Sequence, residues 1–188
     1  GSIKRAAQVK LHLFECNDRY NSVAMTSEIL LFLVLTLLPI VPAEVPLGCV
    51  GIRDRFIDKF LVSSPNYHDA DRRHVAYHTR SQQWVISKDG ANFRIKHAAL
   101  QEDLYESEQS WNGNYVFTWV PKTIITDGGA SWNIYESEPG FYYIKNVKFG
   151  HCLHATVASA WIYALAECNG GHKDQWKLHP LRCNTQNG

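Results

Sequence analysis

Three tryptophans recur about 45 residues apart, each opening an alternating apolar stretch: QQWVISKDG around Trp84, ASWNIYES around Trp132 and DQWKLHP around Trp176. Fixed-period self-similarity constrains a fold more tightly than any single motif, because a unit too small to bury its own apolar face must close against its copies. The segments upstream also open alike, with FIDKFLVSSPNYHDA from Phe56, FRIKHAALQEDLYES from Phe93 and FYYIKNVKFGHCLHA from Phe141. Counted from each phenylalanine, Asp69, Glu106 and His154 fall into one register. A second apolar strand follows in each unit, HVAYHT from His74, YVFTWV from Tyr115 and WIYALAEC from Trp161. Alternation rich in Val, Ile, Tyr, Phe and Trp marks strands, and no stretch after residue 43 carries a helical stripe. The reading is an all-β chain of roughly twelve short strands in three pseudo-repeats, about 49–89, 90–137 and 138–183. The tryptophans are expected to form one core layer, each packing against the other two.

The first 43 residues stand apart. Met25 is the only methionine, and the apolar run Ile29 to Leu38 is followed by PIVPA at 39–43. That run suits the core of a secretory signal and is short of the roughly 18 residues a membrane span needs. The expected signal peptide is 25–43, cut after Ala43, with 1–24 lying upstream of the fold and 44–188 forming one domain. Glu28 and the lack of a basic residue after Met25 depart from the usual pattern, and a buried core helix is the plainer alternative. Cleavage removes Cys16 and leaves Cys49, Cys152, Cys168 and Cys183, an even set that fits two disulfides in an oxidising compartment with three connectivities open.

Charge excludes some partners. Nineteen basic side chains face eighteen acidic ones, so no global field draws the chain to nucleic acid, and no membrane span is expected. His151, His154 and His172 lie near Cys152 and Cys168, but cysteines bonded to each other supply no thiolate, so no metal site and no cofactor are expected. No nucleophile elbow, zinc-protease motif or phosphate loop occurs, and the expectation is a non-enzyme.

The repeated frame resembles the β-trefoil of ricin B-type lectins, whose repeats end in Gln-x-Trp. Gln82 to Trp84 matches outright, Asp174 replaces the glutamine before Trp176, and Ala130 replaces it before Trp132. More narrowly, the secretory leader, size and tryptophan-marked repeats resemble a family of small secreted mosquito salivary proteins. The ricin-type resemblance implies a disulfide within the third repeat, Cys152 with Cys168, and a second closing the domain, Cys49 with Cys183.

Ricin-type sites combine a carboxylate, an aromatic ring that stacks on the sugar and a polar side chain beside the Gln-x-Trp. Carried over, the first repeat offers Asp69, either Tyr77 or His78, and Gln82. The second offers Glu106 and Trp119, with Asp127 close in sequence where the glutamine is missing. The third has His154 for the carboxylate and Ala166 for the ring, and reads as dead. The plain structural roles are a turn cap for Asp69, core packing for Trp119 and a backbone latch for Gln82. The resemblance implies a secreted, non-catalytic lectin of saliva that binds galactose-like or other glycans. The rival is a protein-binding effector that engages or inhibits a host haemostatic or immune factor.

Overall fold

The computed structural model describes residues 44–108, 114–165, 168–169 and 171–183. Residues 25–43, expected to be a signal peptide, lie outside the described residues, as do Cys16 and Ala166. Twelve strands follow in chain order: β1 (Gly48–Asp54), β2 (Phe60–Tyr67), β3 (Arg72–His78), β4 (Trp84–Asp89), β5 (Asn92–His97), β6 (Leu104–Ser107), β7 (Asn114–Trp119), β8 (Ser131–Glu138), β9 (Phe141–Asn146), β10 (Cys152–His154), β11 (Tyr163–Leu165) and β12 (Trp176–Pro180). A short 3-10 turn at Gly171–Asp174 precedes β12, and the described residues contain no α-helix. None of their helices is long and apolar enough to cross a membrane.

The strands close on themselves. Antiparallel pairings run from β1 to β4, β5, β8, β9, β12 and back to β1. The other strands form three hairpins, β2–β3, β6–β7 and β10–β11. These are joined by the pairs β3–β7 and β7–β11 and by a bridge from Ala76 to Trp161. Closure covers the pairing edges that a lone four-stranded unit would leave open.

Strand alternation builds the core. In β5 and β9 every second residue is buried, which sends Phe93, Ile95 and His97, and Tyr142, Ile144 and Asn146, inward. Gly90 and Gly140 turn the chain between β4 and β5 and between β8 and β9 at φ +62° and +80°, backbone that side chains rarely adopt.

Trp84, Trp132 and Trp176 are fully buried together in one core. Each indole N–H donates to a backbone carbonyl, of Leu61 at 3.0 Å, Leu104 at 3.0 Å and Leu153 at 2.9 Å. A buried indole N–H must find an acceptor. The acceptor lies on the first hairpin strand of its own repeat, so each ring is held by its own unit, and among the described residues no ring contact joins the three indoles.

Those leucines fix the repeat register, and a second set of equivalent positions follows from it. Seven residues before each leucine stand Asp54, His97 and Asn146, all buried. Each accepts hydrogen bonds from the loop that follows its strand: Asp54 Oδ1 from the N–H of Phe56 and Ile57, His97 Nδ1 from Leu100, and Asn146 Oδ1 from Lys148 and Phe149. His97 and Asn146 also bond backward, to Gln82 Oε1 and to the Gly129 carbonyl, whereas Asp54 Oδ2 is buried without a partner. Both disulfides are those the resemblance implied, Cys49–Cys183 and Cys152–Cys168, with Cα separations of 5.2 and 5.3 Å.

Candidate functional site

The leucine register corrects the first repeat. Its equivalent of Glu106, two residues past the leucine, is Ser63 and not Asp69, and in the third repeat it is Ala155 and not His154. Asp69 sits beyond β2 in an exposed turn, where Oδ1 accepts the N–H groups of Asp71 at 3.1 Å and Arg72 at 2.9 Å. Its Oδ2 accepts from Arg72 Nε at 2.6 Å, and this guanidinium holds the carboxyl below its ordinary range. Phe56, from which the register was counted, is a loop residue that carries the Lys173 ammonium over its ring.

The structure brings the other three first-repeat residues together without Asp69. Tyr77, His78 and Gln82 line a cleft of about 360 Å³ with Ser63, Ser64 and Arg80. Tyr77 and His78 are adjacent on β3, and it is His78 that lies exposed. Tyr77 packs on the core, and its hydroxyl donates to the His154 carbonyl at 3.4 Å and accepts from the Thr156 N–H at 3.0 Å; burial raises its pKa. Gln82 acts as a latch, because Oε1 accepts from the Ser63 N–H at 2.7 Å and meets His97 Nε2 at 2.9 Å.

In the second repeat Glu106 and Trp119 share a cleft of about 390 Å³ with Tyr105, Asp127, Lys148 and Phe149. Strand pairing places Leu104 opposite Thr118 and Leu61 opposite Tyr77, so Trp119 and His78 hold equivalent positions. Trp119 is half-buried, set edge-on to Tyr105 at 5.4 Å between centroids, with its N–H donated to Thr123 Oγ1 at 2.8 Å. The Glu106 side chain has no exposure. Its Oε1 is bonded by Asn114 Nδ2 at 2.6 Å and His151 Nδ1 at 2.5 Å, Oε2 has no partner, and burial pushes the carboxyl up. Asp127 is the accessible carboxylate, 55% exposed, joined to Lys148 Nζ at 2.6 Å and to the Gly129 N–H at 2.9 Å, contacts that hold its pKa down. Burial pushes the Tyr105 phenol up to about 12, so it stays a neutral donor.

The third repeat is closed by a pair of its own. His154 Nδ1 meets Asp174 Oδ1 at 2.7 Å, with Asp174 fully buried, and Leu165 pairs opposite Cys152 where a ring would be needed. Sequence reasoning passed over Lys148 and Phe149, which come to the second cleft from the third repeat. No local pattern marks them, because their partner Asp127 lies on a loop of the preceding unit.

No protein-family model and no curated protein matches the chain. Among solved structures it is 44% identical to a salivary protein from Culex quinquefasciatus of the Cysteine and Tryptophan-Rich (CWRC) family, with a TM-score of 0.71 over 76% of this chain and 100% of that one. It also matches a designed threefold-symmetric protein, ThreeFoil, at 19% identity and a TM-score of 0.61, over 71% of this chain and 99% of that one. SeviL, solved bound to asialo-GM1 saccharide, matches at 17% identity and a TM-score of 0.54 over 73% of this chain and 100% of its own.

Proposed function

This chain belongs to the Cysteine and Tryptophan-Rich (CWRC) family of mosquito salivary proteins, and from that premise we propose a secreted, non-catalytic carbohydrate-binding function on a β-trefoil of the ricin B-like kind. The barrel with three hairpins, the disulfides and the fold shared with a saccharide-bound protein support the reading. The second-repeat cleft is its site, and one observation carries it: a half-buried indole, Trp119, lies in the same cleft as the exposed Asp127–Lys148 pair. An aromatic face takes the apolar side of a sugar, while a carboxylate and an ammonium bond its hydroxyls. Glu106 is too deeply buried to touch a hydroxyl and supports the cleft by holding His151 and Asn114.

A neutral glycan array tests this, followed by calorimetry on any hit. Trp119→Ala and Asp127→Asn are expected to abolish binding while His78→Ala leaves it intact; retained binding in Trp119→Ala overturns the site assignment. The second reading, a protein-binding effector, draws on Ile124 and Val157, which are 78% and 79% exposed. A blank array together with capture of a defined host plasma protein, lost in Ile124→Asp or Val157→Asp, replaces the lectin reading.

A further inference from the structure

A basic face lies on the β1–β12 pair, outside the repeat clefts. Their register sets Arg53 directly opposite Lys177 and Gly51 opposite His179. Arg55 follows in the turn after β1, while Ile52, Asp54, Trp176 and Leu178 are buried. Two cations directly opposed across an antiparallel pair destabilise a sheet, so this arrangement needs a compensating anion. Part of that compensation is present, since Arg53 pairs with Asp58 and Arg55 with Glu138, each at 2.7 Å. Lys177 is exposed, and among the described residues no carboxylate pairs with it.

Three further features give the face the form of a site. The basic side chains border a cleft of about 210 Å³ that Asp54, Asp58 and Phe141 also line. The guanidinium of Arg55 lies 4.2 Å from the Phe141 centroid and also donates to Gln175 Oε1, and that of Arg53 lies 5.4 Å from Phe60 and also donates to the Asp58 carbonyl, contacts that hold both groups in place. His179 Nε2 is buried with no hydrogen-bond partner.

We propose that this face binds a sulfated glycan, with one sulfate group seated between Arg53 and Lys177 and the sugar ring against Phe141. Charge-assisted bonds from a guanidinium and an ammonium suit a sulfate oxyanion. The cleft is small, and Asp58 stands in its wall beside Arg53, so it has room for a single anionic group rather than an extended anionic surface. The proposal does not depend on the Trp119 cleft.

Calorimetric titration with a size-defined heparin octasaccharide tests it, with the unsulfated counterpart and phosphatidylserine vesicles in parallel. The sulfated octasaccharide is expected to bind, more weakly as salt rises, and the other two probes are not. Lys177→Gln is expected to weaken binding by about tenfold, the loss of one charge-assisted contact, and Lys177→Gln with Arg53→Gln to abolish it. Trp119→Ala, and Lys122→Gln at an exposed lysine in the segment that follows β7, are expected to bind as the parent does. Because Lys177→Gln relieves a like-charge pair, its Tm should equal or exceed the parent's, which separates lost binding from misfolding. Unchanged octasaccharide affinity in Lys177→Gln, equal binding of the unsulfated probe, loss of binding in Trp119→Ala, or binding to vesicles alone each overturns the proposal. Neutral-glycan binding lost in Trp119→Ala but kept in Lys177→Gln distinguishes the two sites.

Discussion

Replacing Asp54 with asparagine should stabilise the protein at neutral pH, contrary to the usual outcome at a fully buried position. Asp54 is 1% exposed; its Oδ1 caps the loop through Phe56 and Ile57, and its Oδ2 has no partner. Burial outweighs those bonds and the nearby His154, and pushes the carboxyl up to about 6. Set against an unperturbed value of about 3.9, this makes the ionised form roughly 3 kcal/mol less favourable in the fold. The folded state therefore holds the proton more tightly between about pH 4 and 6, so the contribution to stability is full below that window and lost as pH rises through it. Asparagine keeps the capping oxygen and removes the charge. Its Nδ2 also has an acceptor by analogy: Asn146 Nδ2 donates to the Gly129 carbonyl, which already accepts the Glu106 N–H, and the equivalent carbonyl of Lys173 already accepts the Ala155 N–H. Allowing for repacking, Asp54→Asn is expected to add about 2 kcal/mol at pH 7.5, a rise in Tm of roughly 5 °C, and almost nothing at pH 4. Thermal and urea unfolding of both proteins at the two pH values check this. A variant less stable than the parent at pH 7.5, or a difference that does not shrink on acidification, refutes the reasoning.

Glu102 is 2% exposed and takes a two-bonded ion pair from Arg73 at 2.9 and 3.0 Å, plus the Thr118 hydroxyl at 2.6 Å. Glu102→Ala leaves Arg73 partly buried and unpaired, so urea unfolding should show a loss of about 3–5 kcal/mol; a loss under about 1 kcal/mol means that water replaces the pair. The Cys49–Cys183 bridge spans 134 residues. By the chain-entropy account, Cys49→Ala with Cys183→Ser should cost about 4–5 kcal/mol, read as a lowered urea midpoint, and an unchanged midpoint refutes it.

Much of the architecture was legible because its signals are local. Alternation marked the strands, and the indoles of Trp84 and Trp176 each bond a carbonyl 23 residues back, a spacing that a repeat search detects. The second repeat spans 28 residues between the same two points, and the first has a long β2–β3 hairpin with Asp69 at its tip. Counting from Phe56 took a loop phenylalanine for a strand opener, and the first-repeat carboxylate was misplaced by six residues onto that tip. Glu106 and Trp119 were named with their cleft, but burial moved the accessible carboxylate to Asp127.

The sequence by itself determined the all-β class, the threefold frame and the even set of cysteines, since periodicity and residue type act over a few positions. Tertiary structure alone decided which polar groups meet: Asp127 with Lys148, Glu106 with His151, Arg53 facing Lys177. Each of those contacts joins residues from different repeats. Their separation is set by how the barrel closes and by the register of its pairs, and neither is written in the spacing of any one strand.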